Sequence, residues 1–189
     1  KDFFVTLPDA PRPFPEPLAE GQAPGFRIRG IKGYDWTAEQ YLTEIPVLAR
    51  YKMNFLMNCY LSMYSGRPDT PADKPKNEWW LPLSDVTKRD YEKVIRACRQ
   101  SGIQFCFSIH PQLDSPRPLD MTSERDFEQF WQHFAWAQGL GVKWFNVPID
   151  DVTHIKVDGA EHARFANRVL QRLRAHDPDA QLVFCPTQY

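Results

Sequence analysis

Two adjacent carboxylates, Asp150 and Asp151, follow the apolar run "FNVPI", and His154 comes three residues after the second. Two carboxylates in one partly desolvated pocket cannot both ionise cheaply, so one tends to hold a proton near neutral pH. An acid beside a base is equipment for glycoside cleavage. Adjacent residues seldom place their carboxyls on opposite sides of a sugar ring, however. The pair therefore suits a substrate-assisted reaction, in which the nucleophile belongs to the substrate. Two other readings stand beside this one. Asp150 can cap the next loop while Asp151 is solvated, since Asp is common in turns; the position after an apolar strand weakens that reading. Alternatively, Asp150, Asp151 and His154 can ligate a metal through oxygen and imidazole, although no further carboxylate or histidine cluster supports it.

Few other residues have types and positions that suggest chemistry. Trp79 and Trp80 offer aromatic faces suited to the apolar side of a pyranose, although at least one is expected only to anchor its long loop. His110 lies just past a strand and can hydrogen-bond a substrate or serve as a satisfied structural histidine. His133, His162 and His176 fall on helical segments and read as surface or helix-end groups. Arg27 and Arg29 alternate on the first strand-like run, where one could face inward and pair with an acid. Cys59, Cys98, Cys106 and Cys185 fit neither a zinc signature nor a small disulfide framework and read as buried free thiols. No motif calls for a cofactor or a metal.

The elements that must position these groups follow an alternating pattern. Residues 1–25 hold six of the 17 prolines and read as a short strand, Phe3–Leu7, and an extended linker. Thereafter strand-like runs at 25–33, 53–60, 103–111, 142–151 and 180–189 alternate with helical stripes at 37–52, 87–102, 123–141 and 160–177. Thr37 and Gln40 have capping-box spacing. Pro46 should kink the first helix or split off its first turns, and Gly102 should stop the second. Residues 61–85 form a proline-rich insert too long for a plain connection. Apolar strands alternating with helices mean parallel βαβ units. No glycine-rich phosphate loop follows a strand, which disfavours a nucleotide-binding open sheet. The long polar and aromatic segments all follow strand C-termini, the face on which (β/α)₈ TIM barrels build their sites. An α/β fold of that type is expected, with about the first five βα units present and residues 26–189 forming a partial barrel domain. Open strand edges in such a half barrel should favour self-association.

The bulk numbers agree with one domain and exclude several classes. The 189 residues are 42% hydrophobic, sufficient for a real core, and the net charge of −1 lacks the basic surplus of a nucleic-acid binder. No apolar run approaches the ~20 residues of a membrane span. The chain begins at Lys1 and shows no signal-peptide pattern, so it reads as trimmed.

Four segments, "RGIKGYDWTAEQ", "MNFLMNCYLSMY", "IDDVTH" and "FCPTQY", resemble in order the motifs of glycoside hydrolase family 84, the O-GlcNAcase and bacterial hyaluronidase-like β-N-acetylglucosaminidases. The last two are the more specific. The resemblance implies a carbohydrate substrate and a retaining, substrate-assisted mechanism. In it, Asp150 would orient the 2-acetamido group whose oxygen attacks the anomeric carbon, and Asp151 would act as general acid and then general base. Tyr189 would support the acetamido group, Gly30 or Gly33 would take the sugar-contacting glycine position, and His154 completes the acid motif. The lysine that the family carries after its second strand falls at Met63, with Lys74 or Lys76 as conceivable replacements. The reading that competes is a sugar-binding or assembly module on a degenerate barrel, without turnover. A third is a barrel enzyme using phosphate or metal.

Overall fold

A computed structural model describes residues 25–63, 77–152 and 158–187. The expected strand Phe3–Leu7 and its linker, together with Lys74, Lys76, His154 and Tyr189, lie outside the described residues.

Five strands, β1 (Gly30–Gly33), β2 (Phe55–Asn58), β3 (Gln104–Ser108), β4 (Trp144–Pro148) and β5 (Gln181–Cys185), form one sheet. Every neighbouring pair is parallel and the spatial order is the chain order. Helices α1 (Ala38–Arg50), α2 (Asp85–Gln100), α3 (Glu124–Gly139) and α4 (Gly159–His176) make the crossovers, and a 3₁₀ turn, Tyr60–Met63, follows β2. The expected α/β alternation is present, with each element within a few residues of its sequence assignment.

Local chemistry explains the helix starts. Thr37 and Gln40 form the reciprocal capping box. Ser84, Ser123 and Asp158 cap the other three helices through their side-chain oxygens. Helix α1 runs unbroken through Pro46, so the expected split does not occur; packing of Tyr41, Ile45 and Leu48 into the core holds both halves to the sheet. Helix α2 stops before Gly102, whose φ of +68° is easily adopted only by glycine.

The sheet has two unlike faces. Leu56, Phe105, Phe107, Phe145 and Val147 join the main core beneath the helices, with Phe107 and Phe145 packed on Phe134 of α3. The alternate positions, among them Lys32, Met57, Cys106, Trp144 and Asn146, face the other way, because strand side chains alternate. Phe55 and Trp144 meet edge to face there, and Asn146 donates to the Ser108 hydroxyl at 2.8 Å.

Three assignments need correction. Arg29 does not seek an acid: its guanidinium donates to the carbonyls of Phe26, Arg27 and Lys52, which fastens the approach to β1. His133 is not a surface group but is buried, with Nε2 2.6 Å from the carbonyl oxygen of Trp79. It sits three residues after Phe130 and four before Ala137, on the face of α3 that enters the core. His162 is likewise buried, near the start of α4 and beside Phe184, while His176 at the end of that helix is exposed. Cys59, Cys98 and Cys106 are buried free thiols as expected, and Cys185 is half-buried.

Candidate active site

Parallel pairing brings the C-terminal ends of all five strands to one edge of the sheet. Tyr34, Tyr60, His110, Asp150 and Thr187 each lie one or two residues past a strand end. His110 continues the alternation of Cys106 and Ser108, and Asp150 that of Asn146 and Pro148, so both extend the face turned from the helices.

Asp150 and Asp151 solve the problem of adjacency with the backbone. Asp151 has φ +58°, in the left-handed region, which Asp tolerates better than most residues. The chain therefore leaves strand geometry between the two acids, and the second carboxylate is not simply sent to the opposite face. Both charges act on the same three groups, Tyr60, His110 and Cys185. Asp150 is largely sheltered, its side chain 18% exposed, while Asp151 is exposed. The Oδ1 atom of Asp150 is buried without a hydrogen-bond partner among the described residues. A buried carboxylate oxygen without a donor is costly and calls for explanation.

The surroundings of Asp150 are set from the other four strands. His110 is fully buried; its Nδ1 accepts from the backbone N–H groups of Gln112 and Leu113 at 3.1 and 2.9 Å. That leaves the proton on Nε2, which donates to the main-chain oxygen of Asp150 at 3.0 Å and lies 3.8 Å from its Oδ1. Burial lowers the imidazole pKa to about 4, despite the opposing pull of Asp150. Tyr60 packs edge to face on His110 at 4.8 Å between ring centres, and Lys32 Nζ lies 4.3 Å from the centre of the Tyr60 ring. Burial, followed by the Asp150 charge, pushes the Tyr60 phenol well up. The Cys185 thiol is raised by burial and then by Asp150. From β5, Thr187 Oγ1 donates to the Ile149 carbonyl at 2.7 Å, and Cys185 O accepts from Ile149 N–H at 2.9 Å.

The other sequence candidates fall in different places. Gly30 opens β1, at the end of the strand away from the acids, and a Cβ there would meet Phe55 O at 2.0 Å. Gly33 closes the strand on the correct side, but a Cβ would meet the rings of Trp36 and Tyr41 at 2.4 and 2.5 Å. Trp79 is fully buried, with Nε1 donating to Arg117 O at 2.6 Å; its ring is a loop anchor and has no face for a sugar. Trp80 is half-buried, edge-on to Trp79, with its carbonyl accepting from Gln132 of α3. Met63, at the position of the family lysine, is a core side chain, 1% exposed. Tyr60 and Lys32 escaped the sequence reading, although Tyr60 ends its apolar run just as the acids end theirs. Among the described residues no three His, Cys, Asp or Glu side chains converge as a metal site, and no helix is long and apolar enough to cross a membrane.

Comparison with known proteins adds two findings. The family model for NAGidase, beta-N-acetylglucosaminidase, matches residues 27–189. Among solved structures, a mutant of the Thermobaculum terrenum O-GlcNAc hydrolase superposes with a TM-score of 0.70 at 22% identity, covering 87% of this chain and 36% of that one. CpGH84B gives a TM-score of 0.66 at 22% identity, covering 87% of this chain and 28% of the other. At that identity the likeness speaks for the fold, and this chain spans about a third of those structures' length. No curated protein matches.

Proposed function

We propose, since the chain belongs to the β-N-acetylglucosaminidase family, that it carries the acid pair of a glycosidase cleaving N-acetylated amino-sugar linkages with retention. Asp150 receives the amide N–H of the substrate's acetamido group. The acetamido oxygen attacks the anomeric carbon and the glycosidic C–O bond breaks. Asp151 gives its proton to the departing oxygen and Asp150 takes the amide N–H proton, leaving an oxazoline whose nitrogen regains that proton from Asp150 when the ring is opened. Asp151 then takes a proton from the water that opens the oxazoline. One observation supports this reading: the sheltered Asp150 carboxylate, whose Oδ1 receives no N–H or O–H donor among the described residues and whose side-chain neighbour is the weakly donating Cys185 thiol, lies beside an exposed second acid. An amide N–H is the missing complement.

Tyr189, His154 and Gly33 are proposed to contact the sugar, Gly33 being favoured over Gly30 because it lies at the strand end nearer the acids. His110 is proposed to act through Asp150 without touching sugar. Trp80 retains partial exposure for a peripheral contact. Residues 1–25 are proposed as a strand and proline-rich linker, and 26–189 as a partial (β/α) barrel catalytic domain.

The test uses 4-nitrophenyl N-acetyl-β-glucosaminide and its N-fluoroacetyl analogues. Fluorine weakens the acetamido oxygen as a nucleophile, so kcat should fall with each fluorine added. Asp151→Asn should lose about 10² to 10⁴-fold in kcat. A wild-type protein that hydrolyses the fluorinated series at equal rates overturns the substrate-assisted route.

A second reading, a sugar-binding module without turnover, draws on Met63, whose core burial leaves no cation at the position of the family lysine. Binding without hydrolysis, unaffected by Asp151→Asn, would favour it. Self-association is proposed through β1 and β5, the outer strands of the sheet; a monomer in sedimentation at high concentration would refute it.

A further inference from the structure

We propose that His110 is a positioning residue for the acid pair. By holding the carbonyl of Asp150, it fixes the peptide plane between the two acids and keeps Asp151 in its left-handed backbone conformation. The inference rests on the catalytic reading of Asp150 and Asp151.

The geometry is specific to that plane. The Asp150 carbonyl and the Asp151 N–H belong to one rigid peptide unit. Rotating this unit is the easiest way for Asp151 to leave φ +58°, a conformation that is unfavourable for a residue with a Cβ. Such a conformation persists only where its surroundings over-determine it. On the preceding side Ile149 is held from β5, its N–H by Cys185 and its carbonyl by Thr187. On the plane itself the described structure gives one side-chain bond, from His110 Nε2.

His110 is built to make that bond and no other choice of tautomer suits it. Two backbone N–H groups occupy Nδ1, so the proton must sit on Nε2. The loop that supplies them is fastened in turn: Asn77, from the segment before α2, donates to the carbonyls of His110 and Leu113 at 2.8 and 2.6 Å. The imidazole therefore links the ends of β3 and β4, backed by the segment that precedes α2. Around it stand Lys32 from β1, Tyr60 from the turn after β2, and Asp150 and Asp151 from the end of β4. Cys185 of β5 adjoins Asp150.

The test separates the two ends of the ring. The amide oxygen of Asn matches Nδ1, so His110→Asn keeps the loop bonds and loses the bond to Asp150. The amide nitrogen of Gln matches Nε2, so His110→Gln keeps the bond to Asp150. For hydrolysis of the nitrophenyl glycoside, kcat should stay within about threefold for His110→Gln and fall about 10²-fold for His110→Asn, with KM little changed in both. Equal kcat in two folded variants overturns the proposal. The main-chain carbon shifts of Asp151, which report the sign of φ, should move in His110→Asn alone; unchanged shifts also overturn it. If wild type lacks hydrolysis, the catalytic reading fails while these shifts still judge the backbone role. If neither variant folds, the imidazole nitrogen spectrum of wild type decides. A proton on Nε2 alone at about pH 6 is expected, and an Nδ1–H tautomer or an imidazolium overturns the proposal.

Discussion

The buried hydroxyl of Tyr41 donates to the carbonyl of Gly33 at 2.6 Å and accepts from the backbone N–H of Cys59 at 2.8 Å. One side chain of α1 thus ties the ends of β1 and β2 at the rim where the acids lie. Burial pushes the phenol up to about 12, so it stays a donor across the physiological range. Tyr41→Phe leaves a carbonyl and an N–H unsatisfied in the interior. It should cost about 1–3 kcal/mol in urea unfolding, and an unchanged midpoint would refute the clamp.

Asp151 carries a backbone prediction as well as a chemical one. Asn enters the left-handed region as readily as Asp, whereas β-branched Val does not. Asp151→Asn should therefore unfold at the wild-type midpoint, so its loss of turnover reflects chemistry. Asp151→Val should lose about 1–3 kcal/mol of stability. Equal stabilities of the two variants would show that the positive φ is not maintained in solution.

The buried imidazole of His110 makes stability depend on pH. Burial holds its folded pKa at about 4, below the ordinary imidazole value of 6.5. Between those values the unfolded chain binds the proton and the native protein does not. Stability from this group is complete above the unfolded value and is lost as pH falls toward the folded one. The native state should weaken by roughly 3 kcal/mol over that window, and His110→Gln should abolish this slope. Lys32, Tyr60, Asp150 and Asp151 face the ring. A wild-type slope retained in His110→Gln would assign the effect to those groups.

Trp79 should behave as a core residue. Trp79→Phe removes the bond to the Arg117 carbonyl and part of the ring area beside Trp80. Unfolding should show a loss of about 1–3 kcal/mol, with sugar affinity by titration calorimetry unchanged. A weakened affinity at full stability would return Trp79 to the binding surface.

The strands and helices were legible because their apolar periods are strong and their caps are explicit, as at Thr37 and Gln40. The acids were legible because they interrupt an apolar run where a strand must end. What escaped depends on contacts between segments distant in sequence. Nothing local to "SIHPQLD" says that His110 reaches Asp150 forty residues on. The left-handed turn at Asp151 has no marker, since Asp serves in many loop conformations. His133 was readable but missed: its spacing from Phe130 and Ala137 put it on the apolar face, and its polarity alone suggested the surface. Lys32 and Tyr60 meet only because β1 and β2 run parallel and in register. Pro46 misled because a local rule about helix breaking gave way to tertiary packing.

The sheet adds its strands in the order in which a ribosome makes them. Among the five described strands each new one pairs with the one just completed, so assembly of these five needs no template from a distant segment. Loop-closure entropy is then met in small instalments. Assembly during synthesis can proceed one strand–helix unit at a time, and the acids take up their setting only after the fifth strand has closed on the fourth.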